Sequence, residues 1–271
     1  MITDHPEYRY DYHVHTHYSA CGKEDAVPVA ILQRARECGL LALGFSDHFH
    51  QPGDLEVVRR LERDLRAAGY GPQRAHSSPD SLRYYLGVEA EMNSPDDFAL
   101  PRDEARELDF VMAAVNHYHL EQVQNPKECT PQAFALHSLA MLDGAIATGY
   151  VDTIAHPFTP LGQGPFSHED IFRLVPEGAL LDCLDRAARA GVAMELNPST
   201  FQAHYSMLSV FYRMCLDRGV RISLGSDSHS LATLGYPADR CPPAALLRGL
   251  GIGEPQLWHP KPTHSARLCC P

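Results

Sequence analysis

The sequence predicts an α/β fold in one domain: about seven parallel strands, each followed by a helix, closing into a (β/α) barrel. Two observations carry this. Short apolar runs alternate with helical patterns along the 271 residues, and a repeated strand–helix order implies parallel strands with right-handed crossovers. That length also suits a single barrel better than an open sheet with so few units. A third observation removes the main rivals. No GxGxxG follows the first apolar run and no GxxxxGK[ST] occurs, so the dinucleotide and P-loop versions of a doubly wound sheet have no support.

The elements follow in order. Residues 10–15 read as a first strand, and 27–38 as a helix that stops at Gly39. Residues 41–46 form a second strand, and 55–68 a charged amphipathic helix closed by Gly69. Residues 83–91 give a third strand. Residues 110–116 (FVMAAVN) give a fourth, nearly all apolar as a buried parallel strand should be. A long helix over 131–148 ends before Gly149, and 151–155 is a fifth strand. A helix over 180–190 stops at Gly191; 192–196 is a sixth strand, 205–218 a helix and 221–225 a seventh strand. A last helix fits 243–250. The loop 73–81 (QRAHSSPDS) reads as a mobile insert. The domain is expected over 1–271, with its core at about 8–252 and a proline-rich tail, 253–271, running over the surface.

Charge and cysteine usage narrow the function classes. The formal net charge of −11 comes from 34 acidic and 23 basic residues, and a surface that acidic repels nucleic-acid backbones. No run approaches the ~18 apolar residues that span a bilayer, and no basic n-region precedes an apolar stretch at the start. The eight cysteines form no CxxC, so a reduced, cytoplasmic protein is expected. The compositional anomaly is histidine, with 16 residues.

Their positions matter more than their number. The first strand ends in His13-Val14-His15, and the second runs into Ser46-Asp47-His48. The third carries Glu89 and Glu91, and the fourth runs into Asn116-His117-Tyr118-His119. The fifth leads to His156, the sixth ends in Glu195-Leu196-Asn197, and the seventh runs into Asp227-Ser228-His229. A single His-x-His on a strand is common on ordinary surfaces. Here every expected strand delivers a His, Asp or Glu at its C-terminal end, where parallel barrels build their sites. Imidazoles and carboxylates converging there are costly to bury unpaired. Divalent metals remove that cost, and this ligand set suits Zn, Mn or Fe.

The ordered motifs DYHVHT, FSDHF, LGVEAE, NHYH, IAHP, MELNPS and LGSDSH resemble those of the PHP (polymerase and histidinol phosphatase) superfamily, and they span residues 11–229. The resemblance implies a distorted seven-stranded (β/α) TIM-like barrel with two to three divalent metal ions. It implies one metal site from His13, His15, Glu89 and Asp227, and a second from Glu89 as a bridge with His117 and His156. It implies a third from His48, His229 and a histidine six residues beyond His15. That position holds Cys21. Either Cys21 ligates as thiolate, or His17 or His50 replaces it, or the third metal binds weakly.

The activity so implied is a metal-dependent phosphoesterase acting on a small phosphorylated metabolite, with histidinol phosphate the leading single substrate. Asp227 and His229 are the candidate catalytic residues, and Asn197, His119 and His204 the candidate substrate contacts. Glu91 and Asp47 are candidates for orienting ligands. No basic residue lies between His156 and Arg173, whereas the histidinol phosphatase branch is expected to carry an arginine there. The alternatives are a phosphodiesterase or nucleotidase of the same superfamily, a barrel that keeps metals without catalysis, and a C–N hydrolase of amidohydrolase type.

Overall fold

The computed structural model describes residues 9–70, 82–236 and 244–261. The expected mobile insert, the N-terminal histidine His5, His76, His264, the cysteines from Cys241 onward and the tail beyond Lys261 lie outside the described residues.

Strands and helices alternate through most of the chain. The strands are β1 (Tyr10–Val14), β2 (Ala42–Phe45), β3 (His48–Phe49), β4 (Arg83–Ser94), β5 (Asp97–Phe98), β6 (Phe110–Ala114), β7 (Thr153–Ala155), β8 (Ala193–Leu196) and β9 (Ile222–Leu224). The helices are α1 (Pro28–Glu37), α2 (Leu55–Ala67), α3 (Arg102–Ala105), α4 (Pro131–Ala147), α5 (His168–Arg173), α6 (Glu177–Ala190), α7 (Pro198–Ala203), α8 (Tyr205–Asp217) and α9 (Ala244–Gly249). The seven main strands pair in the order β1-β2-β4-β6-β7-β8-β9, all parallel. The sheet nearly closes on itself. Val14 bridges Ser228 in parallel fashion, with His15 N–H donating to Ser228 O at 2.9 Å and Ser228 N–H to His13 O at 3.2 Å. This is the seven-stranded (β/α) barrel that the strand–helix alternation implies.

The helices obey the patterns that announce them. α2 buries Leu55, Val58, Leu61 and Leu65 along one stripe while its arginines and glutamates face water; each such leucine contributes about 1.5–3 kcal/mol by leaving water. α4 begins at Pro131 behind Thr130, whose hydroxyl accepts from Ala133 N–H. Three short helices escape the sequence pattern: α3; α5, capped by Ser167; and α7, capped by Asn197. They have four, six and six residues, too few for helical periodicity to stand out. β4 also runs three residues past its expected end and folds back on β5, because Met92 stays buried and continues the alternation.

One expectation is corrected. The described part of the tail does not lie over the surface. Trp258 N–H donates to Ile222 O at 2.8 Å, and Leu257 and Trp258 are both 4% exposed. Trp258 meets the rings of Tyr12 and Phe110 edge-on at 5.6 and 6.1 Å. The prolines mask two large apolar residues whose burial outweighs the polar composition of the segment.

Candidate metal centre

The C-terminal ends of the strands converge, as the sequence predicts. Side chains on a strand alternate between faces, so His13 and His15 leave β1 on one side, and Glu89 and Glu91 leave β4 on one side. His48 pairs in register with Glu89. His13, His15, Glu89 and Glu91 are at most 1% exposed.

Two donor sets share Glu89. In the first, His13 Nε2 lies 3.1 Å from His15 Nε2, 3.4 Å from Glu89 Oε2 and 3.4 Å from Asp227 Oδ1. His15 Nε2 lies 3.5 Å from Glu89 Oε2 and 3.1 Å from Asp227 Oδ1. In the second, His156 Nε2 lies 3.1 Å from Glu89 Oε1 and 3.3 Å from His117 Nε2, and His117 Nε2 is 3.8 Å from Glu89 Oε1. Donors about 2.1 Å from a common centre in tetrahedral array stand roughly 3.4 Å apart. The spacing therefore fits a cation at the centre of each set.

The hydrogen bonding supports the same conclusion. His13 Nδ1–H donates to Glu195 Oε1 at 2.6 Å, and His117 Nδ1–H donates to the Glu91 carboxylate at 2.9 and 3.0 Å. Each neutral ring then turns its Nε2 lone pair inward, toward other lone pairs and carboxylate oxygens. Such an arrangement repels itself unless a cation lies between the donors. Burial opposes positive charge at His13, yet Glu195, Glu89 and Asp227 outweigh it and raise the ring well above its ordinary range; a metal ion on Nε2 would supply the charge that these carboxylates favour and leave the ring neutral. Burial alone would raise the Glu89 carboxyl, but His13 and His48 hold it well below the carboxylate range.

A third cluster is formed by His15, Cys21, His48 and His229, whose ligand atoms all lie within 4.8 Å of one another. Burial raises a thiol, but the rings of His229 and His48 bring Cys21 down to about 6. His17 lies outside this group: its ring faces Ala26 O at 3.3 Å and lies tilted 4.2 Å from that of Tyr18. His50 lies nearer Glu91, with Nδ1 3.6 Å from Oε1.

Backbone strain concentrates here. His156 has φ 28° and Asp227 φ 53°, conformations that cost a side-chain-bearing residue about 1–3 kcal/mol. Glu195 Oε2 accepts His156 N–H at 2.6 Å, and Asn116 and Thr159 donate to His156 O at 2.8 and 2.6 Å. Beside Asp227, the Asp11 carboxylate accepts the Ser226 N–H and hydroxyl at 2.9 and 2.7 Å. Glu195 and Asp11 have no assigned role in the sequence reading. Glu195 is visible there as one more strand-end acid, but linear order does not show which histidine it faces.

Other expected residues take different places. Asp47 touches no ligand histidine; it accepts Thr16 N–H, Thr16 Oγ–H and Ser19 Oγ–H at 2.7, 2.7 and 2.6 Å. Ser19 Oγ in turn lies 3.4 Å from His15 Nδ1, so Asp47 shapes the turn beside that ring. Both ends of the Asn197 amide are engaged, accepting Thr200 N–H at 3.1 Å and donating to Ser226 O at 3.3 Å. His204 is bound between Glu169 Oε1 at 2.7 Å and His168 Nδ1 at 3.1 Å. His119 is exposed, its ring 5.4 Å from that of His117.

Comparison with known proteins agrees with this architecture. The PHP domain family model matches residues 11–199. A probable phosphatase of Acetivibrio thermocellus is 26% identical over 228 residues, which cover 79% of this chain and 78% of that one. A probable histidinol-phosphatase of Deinococcus radiodurans is 24% identical over 234 residues, covering 82% and 87%. Among solved structures, histidinol phosphate phosphatase from Lactococcus lactis, complexed with zinc, L-histidinol and phosphate, superposes with a TM-score of 0.57 at 17% identity, over 90% of this chain and 94% of that one. With the motif order, the barrel and the family match in agreement, this chain belongs to the PHP domain family.

Proposed function

We propose that the protein is a metal-dependent phosphoesterase that hydrolyses a small phosphomonoester. One observation carries the reading: the Glu89 carboxylate reaches both donor sets, Oε2 toward His13 and His15 and Oε1 toward His156. A single buried acid thus joins two sites, the arrangement needed to act on both sides of one phosphorus atom. The names of the Acetivibrio and Deinococcus relatives point the same way.

Divalent cations bound there would supply Lewis-acid charge for phosphoryl oxygens and acidify a water molecule. Zn, Mn and Fe all suit these donors. The chain's own residues do the rest. Glu195 and Glu91 fix the tautomers of His13 and His117, so that each presents Nε2. Asp227, with a side chain 32% exposed, closes the first set on the open side. His229 Nδ1–H donates to Asp227 O at 2.9 Å, which turns its other nitrogen toward the centre. His119 is exposed beside His117, which supports it as a substrate contact; Asn197 and His204 are engaged within the protein, which supports a bracing role for both.

Histidinol phosphate is the first substrate to test, on the likeness to the Deinococcus protein. Residues 157–172 offer no arginine or lysine, and Arg173 is engaged by Asp170. This loop thus supplies no free basic side chain for the substrate phosphate, which favours a broad phosphomonoesterase over one dedicated to histidinol phosphate. The deciding experiment is hydrolysis of p-nitrophenyl phosphate by folded protein supplied with Mn²⁺, Zn²⁺ or Fe²⁺, followed by a screen of phosphorylated metabolites. Turnover that disappears in Glu89→Gln is expected. No turnover with any of the three metals would leave a metal-holding barrel without catalysis.

A further inference from the structure

We propose that Cys21 makes the third cluster a thiolate–imidazole position that selects a thiophilic cation such as Zn²⁺, so that the centre is heterometallic wherever Mn²⁺ fills the two Glu89 positions. This deepens the metal-dependent reading above and rests on it.

The geometry places a soft donor where the other two sets have none. The ring nitrogens of His15, His48 and His229 and the Cys21 sulfur lie within 4.8 Å of one another. The Cys21 sulfur therefore stands beside the rings of both His229 and His48. Those rings are themselves ordered: His15 stacks on His229 at 4.2 Å and lies 4.5 Å from His48. His48 Nδ1 is buried and lacks a hydrogen-bond partner, although Glu89 Oε2 stands 3.1 Å away off the hydrogen-bonding direction.

The turn that carries Cys21 is built to hold it there. Ser19 N–H donates to Thr16 O at 3.1 Å, Gly22 N–H to Ser19 O at 2.9 Å, and Lys23 N–H to His229 O at 2.8 Å. The last bond ties the cysteine's turn directly to the residue after β9 that supplies a second donor. Gly22 packs so tightly that a Cβ on it would sit 2.0 Å from Thr16 O. The sulfur's position is therefore set by backbone contacts on both sides of it.

Donor chemistry then separates the positions. Thiolate selects Zn, Cu(I) and Fe, while carboxylate suits Mg, Ca and Mn. Each Glu89 set has imidazoles with one or two carboxylates and no sulfur. The Cys21 set has imidazoles with sulfur and no carboxylate in its group. Cys21 is also exposed, so cation exchange at this position does not require the barrel to open.

The test is a metal titration of the full-length apoprotein, first with Mn²⁺ and then with Co²⁺ as a coloured substitute for Zn²⁺, read by metal content and absorbance. The expected result is about two equivalents of Mn²⁺, then one further equivalent of Co²⁺ that brings a thiolate-to-cobalt charge-transfer band. In Cys21→Ala and Cys21→Ser that last equivalent and the band are lost, while the first two are kept. Three outcomes overturn the proposal: a further Co²⁺ without the band, a band that survives in Cys21→Ser, or a third Mn²⁺ bound by wild type as readily as the first two. The wild-type spectrum decides the matter even if a variant fails to fold. Failure to bind any metal would instead overturn the function proposed above; two metals bound with no thiolate signal would overturn this inference alone.

Discussion

His13 and Glu195 meet at 2.6 Å inside the barrel, and neither side chain is exposed to solvent. The same carboxylate accepts the backbone N–H of His156 with its other oxygen. One residue on β8 therefore orients a ligand candidate from each of the two Glu89 sets. Glu195→Ala is expected to lower metal affinity by about 10–100-fold and to cost about 1–3 kcal/mol for the His156 N–H left unpaired. Glu195→Gln, which keeps one acceptor, should recover part of both. Calorimetric metal titration with thermal unfolding checks this; unchanged affinity in the alanine variant would remove the positioning role.

Gly225 keeps that contact possible. A Cβ there would lie 1.9 Å from Glu195 Oε1 and 2.5 Å from His13 Cβ. Gly225→Ala should displace both partners, costing about 1–3 kcal/mol in overpacking and more metal affinity than Glu195→Gln. The measurement is the same titration; a variant that binds like wild type would show that the barrel wall yields there without disturbing His13.

Asp47 gives a contrasting prediction, because it stands beside His48 in sequence but serves the turn after β1. Its three hydrogen bonds to Thr16 and Ser19 are buried, and bonds to a charged acceptor are worth about 1.5–3 kcal/mol each, with incomplete additivity. Asp47→Ala should cost at least ~3 kcal/mol of stability. Asp47→Asn should cost less, since its amide oxygen still accepts. Chemical denaturation settles it, and a loss under ~1 kcal/mol would count against the bracing role.

The clasp His168–His204–Glu169 carries a pH dependence. Glu169 accepts from His204 Nδ1–H, and Pro160 O, 3.0 Å from His168 Nε2, must also accept. The two rings lie 3.1 Å apart, His168 Nδ1 to His204 Nε2. Burial and then the neighbouring His204 lower His168, and the bond from His204 lowers the Glu169 carboxyl. Both shifts have one sign: the folded chain favours a neutral His168 and an ionised Glu169, so the clasp is whole near neutral pH and loosens as pH falls and these groups take up protons. Nitrogen-15 imidazole spectra across pH should show His168 staying neutral below the ordinary histidine range. A His168 ring that protonates within or above that range would contradict it.

Much of this was legible in the linear sequence, for a physical reason in each case. Strand-end residues could be read because parallel barrels put their sites at one end, so position along a strand already implies position in space. His13 and His15, or Glu89 and Glu91, share a face because the strand period is two. The short helices α5 and α7 were not legible, since six residues give one and a half turns and no periodic signal. The tail was misjudged for a related reason: its proline content hid that Leu257 and Trp258 close the bottom of the barrel.

The sequence by itself determined the barrel, the family and the identity of the donors, because apolar periodicity and the order of strand-end motifs are properties of the chain alone. The family resemblance implied which donors share a site; only the tertiary structure set their distances and showed what orients them. Glu195 orienting His13 across 182 residues of chain, Asp227 closing on His15 from the far edge of the sheet, and Cys21 beside His229 are all through-space relationships. They depend on β1 returning to lie against β9, and those two strands are too far apart along the chain for local pattern to show which strand-end residues meet across that seam.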